Sequence, residues 1–327
     1  MPLQTDESQT PLLDVQGLKK HFPVKGALGG IKGHVKAVNN VSFQLYEGET
    51  FGLVGESGCG KSTTGRMILR LIEPTDGSAF YKNQDIFRLT GKDLHNMRKE
   101  LQMVFQDPYS SLNPRKRIGS ILEEPLAIHS MGNKKERTEI VMDILHKVGM
   151  RVDHYYRYPH ELSGGQRQRI GLARALVVNP KILIADEPVS ALDVSIQSQI
   201  INLLRELQNE MKLTYLFIAH DISVVRHISD RIGVMYLGGL VEEAPTDSLF
   251  ENPLHPYTKA LLAAVPLPNP RVKRERIVLK GELPSPLSPP SGCVFHTRCP
   301  FVMDICKTEV PVKKEVLKRH IVACHLH

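Results

Sequence analysis

Thr50-Phe-Gly-Leu-Val54-Gly55-Glu-Ser57-Gly58-Cys59-Gly60-Lys61-Ser62-Thr63 is the stretch on which the fold turns. Its first five residues form a short apolar run of the kind that fills a buried strand. Gly55 to Ser62 then fits G-x-x-x-x-G-K-[ST], where glycines let backbone N–H groups point at phosphate oxygens that a side chain would keep away. In such a loop Lys61 faces the β and γ phosphates and Ser62 faces magnesium. Thr64 to Ile72 reads as a helix, closed by Pro74 and Gly77. A strand, a loop and a helix in that order predict a phosphate-binding unit.

Upstream, residues 12 to 46 carry alternating apolar patches, Leu12-Leu13-Asp14-Val15 and Val41-Ser42-Phe43-Gln44-Leu45, around a Gly-rich insertion, GALGGIKGHV. They predict short strands with a flexible hairpin. Downstream, Ile118, Ile121, Leu122, Ile140, Ile144, Leu145 and Val148 recur at three and four residues, which predicts a helical insert over about 107–162. Two further strands are expected, Ile182 to Ala185 and Thr214 to Ala219, set between helical stretches at Gln166 to Val177 and Ile196 to Met211. The core is therefore expected to be α/β. Beyond residue 254 prolines become dense and four cysteines fall between 293 and 324, so an appended module is expected over 255–327.

The chain has 327 residues, 41% hydrophobic and 24% charged, the composition of an ordinary globular protein. Its apolar runs are far shorter than a bilayer-spanning helix needs, and the N-terminus MPLQTDESQT lacks the basic then apolar order of a secretory signal. A cytoplasmic location is expected. The formal charge of +7 admits nucleic acid or anionic headgroups as partners, but Lys and Arg are spread along the chain, as on a generic solvated surface. With no Trp and 6% aromatics, a base-stacking platform has little support.

Two more segments carry chemistry. Ile182-Leu-Ile-Ala185-Asp186-Glu187 is a buried strand ending in two carboxylates: Asp186 can hold magnesium through water, and Glu187 can orient or deprotonate an attacking water. Taken alone it is also a strand followed by a solvated acidic turn. Leu162-Ser163-Gly164-Gly165-Gln166 opens a helix, with Ser163 as N-cap. The same helix start is an anion site at the positive end of a dipole, suited to a γ phosphate delivered by another subunit.

In that order and spacing, the phosphate loop, Gln106 after a strand, LSGGQ at 162–166, Asp186-Glu187, Ser190-Ala-Leu-Asp193 and His220 resemble the ABC ATPase family over roughly residues 12–254. The resemblance implies a P-loop NTPase core with an antiparallel β subdomain and a helical subdomain, and ATP hydrolysis with Mg²⁺. Two motor domains would meet head to tail, each ATP lying between one partner's Gly55, Ser57, Gly58, Cys59, Gly60, Lys61, Ser62 and Thr63 and the other's Ser163, Gly164, Gly165 and Gln166. By the same match Glu187 is the catalytic carboxylate, Gln106 senses magnesium and reports to the membrane partner, Asp193 contacts the opposing subunit and His220 holds the γ phosphate. Phe22, in Lys19-Lys-His-Phe-Pro23, is the candidate face for adenine, against an ordinary strand-core Phe; Tyr46 is the reserve. Cys59 also reads as a packing residue.

His255-Pro-Tyr-Thr-Lys-Ala-Leu-Leu262 and the run Cys293, Cys299, Cys306, Cys324 resemble the C-terminal extension of oligopeptide and dipeptide permease ATPases, as does Gln106-Asp-Pro-Tyr-Ser-Ser-Leu-Asn-Pro114. A disulfide framework does not suit cytoplasmic thiols, whereas tetrahedral zinc or a [4Fe–4S] cluster does, and spacing leaves both open beside buried unliganded cysteines. The permease branch implies the [4Fe–4S] cluster. It also implies a paralogous second ATPase subunit, two transmembrane permease subunits and a periplasmic or extracellular solute-binding protein, at the cytoplasmic face of the inner membrane. Peptide would not touch this chain directly. Import of another solute, such as nickel complexes or antimicrobial peptides, and a soluble ABC ATPase acting on nucleic acid or the ribosome are the alternatives.

Overall fold

The computed structural model describes residues 10–26, 29–107, 111–190, 192–265, 279 and 281–327. The first half of the described chain runs β1 (Leu13–Lys25), β2 (Ile31–Leu45), β3 (Thr50–Val54), α1 (Lys61–Ile68), β4 (Asp76–Tyr81), β5 (Gln84–Asp85), α2 (Gly91–Glu100) and β6 (Leu101–Val104). Then follow α3 (Ile118–Ile128), α4 (Lys134–Lys147), α5 (Gly164–Leu176), β7 (Ile182–Asp186), α6 (Val194–Met211) and β8 (Thr214–Ala219). The chain ends with α7 (Ile222–Arg226), β9 (Arg231–Tyr236), β10 (Gly239–Pro245), α8 (Thr246–Glu251), α9 (Pro256–Ala263), α10 (Asp304–Thr308), β11 (Lys314–Leu317) and β12 (His320–Val322). These elements make two units: Met1–Leu45, Thr50–Phe87 and Ala219–His327 form one, Tyr46–Glu49 and Arg88–Ile218 the other.

In the first unit β2, β1, β4 and β5 form an antiparallel sheet in that order. β1 and β2 pair antiparallel from Leu13↔Leu45 to Lys25↔Ile31, the expected hairpin, with strands longer than expected: β2 takes in Ile31 to Val35 of the Gly-rich insertion. Ladder pairing supplies the hydrogen bonds that its composition did not advertise: Gly33 pairs with Val24, and a Cβ on it would stand 3.1 Å from Leu287 Cδ1. Residues 27 and 28 of this insertion lie outside the described residues. β3 pairs parallel with β9 over Phe51↔Arg231 to Val54↔Val234, and β9 pairs antiparallel with β10. β12 then pairs with β10, Glu242 opposite Val322, so the C-terminal residues extend this sheet.

The second unit holds three parallel strands, β6 against β7 and β7 against β8. β7 and β8 are buried along their whole length, which is why both read as unbroken apolar runs. The helices face them with apolar stripes. α6 buries Ile200, Ile201, Leu203, Leu204 and Leu207, the three-and-four spacing of one helical face. The expected helical insert is present as α3 and α4; Asn133 caps α4 by accepting from Glu136 N at 3.1 Å while Glu136 Oε2 accepts from Asn133 N at 2.7 Å. Helix ends moved from the expected places: α1 starts at Lys61, directly after the glycine that ends the loop, and stops at Ile68.

Candidate functional site

The phosphate loop joins β3 to α1 within the first unit. Gly60 has φ 106°, and a Cβ there would stand 2.1 Å from Ala37 O; Gly55 has φ 152°, with Met235 O at 2.2 Å from the equivalent point. Backbone packed this closely excludes any side chain, so the loop can only be built from glycine at these two positions. The N-cap of α1 is Gly60, which has no side chain to occupy the first backbone N–H groups, the arrangement of a helix N-terminus that takes an anion. Lys61 is buried, and its Nζ donates to Gly55 O at 2.8 Å and Glu56 O at 3.1 Å. Ser57 and Gly58 are exposed at the tip, and Ser62 and Thr63 are half-buried. Cys59 is 2% exposed, with Sγ 3.7 Å from Lys61 Nζ, and burial pushes its thiol up despite that ammonium.

The carboxylates belong to the second unit. β7 ends at Asp186, which is 0% exposed, and Glu187 follows with φ 48°. A left-handed backbone on a side-chain-bearing residue costs of order 1–3 kcal/mol and is kept only where its surroundings fix it. Here Glu187 N donates to Ile218 O at 2.9 Å, and Ser190 Oγ donates to Glu187 O at 3.1 Å. The carboxylate turns toward Gln106, just past β6, whose Nε2 donates to Glu187 Oε2 at 2.7 Å. Two residues 81 positions apart in sequence are thus one hydrogen-bonded pair.

Ser163 is the N-cap of α5, as the sequence predicts. Its Oγ accepts from Gln166 N at 3.3 Å and its own N–H donates to Gln166 Oε1 at 3.0 Å, a complete capping box. Ser163 and Gly164 are exposed, and no acidic residue stands in the first turn. Gly165 has little spare room on its inner side, where a Cβ would meet Ile196 Cγ2 at 3.0 Å. Asp193 is the N-cap residue of α6, yet its side chain makes no capping hydrogen bond and is exposed. His220 is exposed just after β8. Phe22, on β1, is 37% exposed with Lys20 Nζ 5.1 Å from its ring centre, so it is a surface ring and not a strand-core Phe.

All five cysteines are free thiols. Cys293, Cys299, Cys306 and Cys324 lie within electrostatic reach of one another: burial first, then the neighbouring cysteines, pushes Cys293 up to about 11, and Cys299 and Cys324 are raised for the same reasons. Cys293 N donates to Cys306 O at 2.9 Å. As the side chains stand, no group of three or more His, Cys, Asp or Glu among the described residues is arranged to hold a metal ion.

Reading the sequence did not find Tyr257, whose Oη accepts from the loop's Glu56 N at 2.9 Å, nor Glu242, fully buried, whose Oε1 contacts His320 Nε2 at 2.7 Å and accepts from Leu254 N at the same distance. Their partners are distant in sequence, and no local pattern announces them.

The ABC transporter family model matches residues 38–190, and the oligopeptide/dipeptide transporter C-terminal region matches residues 241–306. The oligopeptide transport ATP-binding protein AppF of Bacillus subtilis (strain 168) is 58% identical over 327 residues, covering 99% of each chain. The dipeptide transport ATP-binding protein DppF of Haemophilus influenzae is 51% identical over 318 residues, covering 97% of each. The dimeric post-hydrolysis structure of the ATP-binding cassette MJ0796 bound to ADP and Pi matches with a TM-score of 0.64 and 30% identity, over 72% of this chain and 98% of that one.

Proposed function

Because the chain belongs to the ATP-hydrolysing ABC transporter subunits of the oligopeptide/dipeptide permease family, we propose that it energises the import of dipeptides and oligopeptides. The peptide-transport functions of its relatives support the substrate class. Its partners are then a paralogous ATPase subunit, two transmembrane permease subunits and a solute-binding protein on the far side of the membrane. The chain sits peripherally at the cytoplasmic face of the inner membrane; no helix among the described residues is long and apolar enough to cross a membrane.

The observation that carries the hydrolytic reading is Glu187 itself, held at a left-handed φ behind a wholly buried Asp186 and hydrogen-bonded to Gln106. Gln106 orients this carboxylate through Oε2, and the carboxylate takes a proton from the attacking water. The water oxygen bonds to the γ phosphorus, the bond from that phosphorus to the β–γ bridging oxygen breaks, and ADP and phosphate depart. Lys61 leaves its loop carbonyls for the β and γ oxygens. Ser62 and Asp186 are the motif positions assigned to Mg²⁺, which neutralises phosphate charge when bound. His220 holds the γ phosphate, and Phe22 offers its exposed ring to adenine. Ser163, Gly164, Gly165 and Gln166 serve the partner's nucleotide, and Asp193 faces the opposing subunit.

Glu187→Gln is expected to lower steady-state ATP hydrolysis by about 100-fold or more while ATP binding persists, and to accumulate an ATP-bound dimer on gel filtration. Hydrolysis at the parental rate would remove Glu187 from the catalytic role. Peptide uptake into vesicles carrying the reconstituted permease, dependent on ATP, tests the transport reading.

For the C-terminal cysteines we propose a [4Fe–4S] cluster on Cys293, Cys299, Cys306 and Cys324, with zinc as the alternative. Four thiols suit either group by donor type, although the side chains as they stand are not gathered around a metal; burial and neighbouring cysteines push up Cys293, Cys299 and Cys324, and a bound cation would compensate that charge. When bound, the group supplies a cross-link in a loop-rich tail. Anaerobically purified protein should contain about four irons per chain and absorb in the visible region; iron-free, zinc-loaded protein would reject the cluster.

A further inference from the structure

Glu56, the second residue of the phosphate loop, is held by residues far along the chain. Its amide donates to Tyr257 Oη at 2.9 Å, and its two carboxylate oxygens accept from Arg298 Nη1 at 3.1 and 2.9 Å. The Arg298 side chain is 10% exposed and that of Glu56 28%. Arg298 is fixed in turn. Its guanidinium lies 5.9 Å from the centre of the Tyr236 ring, and Tyr236 packs on Tyr257 and Phe295 at centroid distances of 4.7 and 5.2 Å. Its backbone belongs to the turn between Cys293 and Cys299, closed by His296 N to Cys293 O at 3.0 Å and Arg298 N to Phe295 O at 3.0 Å.

The other face of the Glu56 peptide belongs to the lysine: its carbonyl accepts from Lys61 Nζ. Glu56 therefore joins the cysteine turn to the phosphate-binding ammonium through one residue. Its charge also has a cost. A carboxylate within a loop that grips a triphosphate repels that ligand, and in a partly buried setting the repulsion is weakly screened. An arginine on the far side both neutralises the carboxylate and draws it toward the tail.

We propose that Arg298 is a positioning residue for the phosphate loop: by neutralising and anchoring Glu56 it sets the affinity for ATP, so the cysteine turn that carries Arg298 governs the nucleotide site. The inference rests on the reading that this loop binds ATP. It assigns the C-terminal extension a part in nucleotide binding that its distance in sequence conceals.

The test is a double-substitution cycle on the full chain, read as the Kd of a fluorescent ATP analogue with Mg²⁺. Arg298→Ala is expected to weaken binding about tenfold, because it leaves an unpaired carboxylate beside the triphosphate. Arg298→Ala with Glu56→Gln should bind about fivefold tighter than Arg298→Ala alone, since the stranded charge is gone. A merely structural arginine would leave the double variant as weak as the single one, and that result, or an Arg298→Ala Kd equal to the parental value, overturns the proposal. Parental protein that does not bind the analogue would instead overturn the reading of the loop, and the proposal with it.

Discussion

At the residue scale two backbone conformations carry the site, and only one of them was visible in advance. Gly60 sits at φ 106° against Ala37 O, a place where an added methyl has nowhere to go. Gly60→Ala is therefore expected to abolish binding of an ATP analogue and to lower stability by roughly 1–3 kcal/mol, the cost of a strained backbone. Calorimetric unfolding together with a binding titration checks both; parental affinity would mean that the loop relaxes freely. The glycine spacing announced this constraint. Glu187 at φ 48° is the opposite case. Nothing in Ala-Asp-Glu-Pro signals a left-handed residue, and the conformation follows from hydrogen bonds to Ile218 and Ser190 that arise only on folding.

Elements were legible where burial is uniform. β3, β7 and β8 are wholly buried parallel strands, and their apolar runs predicted them within a residue. In β2 the Val41 to Leu45 stretch was read as strand and the part from Ile31 was not, because glycines and lysines in a paired outer strand look like a loop; β9, β10, β11 and β12 were not foreseen. The junction of β10 with α9 has a pH consequence. His255 caps α9, its Nδ1 accepting from Tyr257 N at 3.1 Å, and burial holds its pKa down to about 4. Glu242 opposes this shift, while His327 and Lys259 add to it. The folded protein thus keeps His255 neutral, whereas the unfolded chain takes up a proton near pH 6.5. The stabilisation is complete above about pH 6.5 and is lost as pH falls toward about 4, on the order of 3 kcal/mol across that window. Unfolding midpoints should fall between pH 7.5 and 5, and His255→Gln should flatten that decline. Equal slopes in the two proteins would locate the acid sensitivity elsewhere.

For the molecule as a whole, the C-terminal tail matters more than its proline-rich sequence suggests. β12 pairs with β10, His320 reaches the buried Glu242, and Arg298 reaches Glu56 across 242 positions. The tail is thus built into the same unit as the phosphate loop. A module read from sequence as an appendage shares its sheet and its ion pairs with the nucleotide-binding half.

By itself the sequence determined the phosphate loop, the capped start of α5, the acidic end of β7 and the family, because each depends on short spacings of residue types whose chemistry is local. The tertiary structure decided the pairing of Gln106 with Glu187, the exposed face of Phe22 and the anchoring of Glu56 by Arg298 and Tyr257. Those depend on which distant segments the hydrophobic core brings side by side, and contacts between segments leave no periodicity in either one alone.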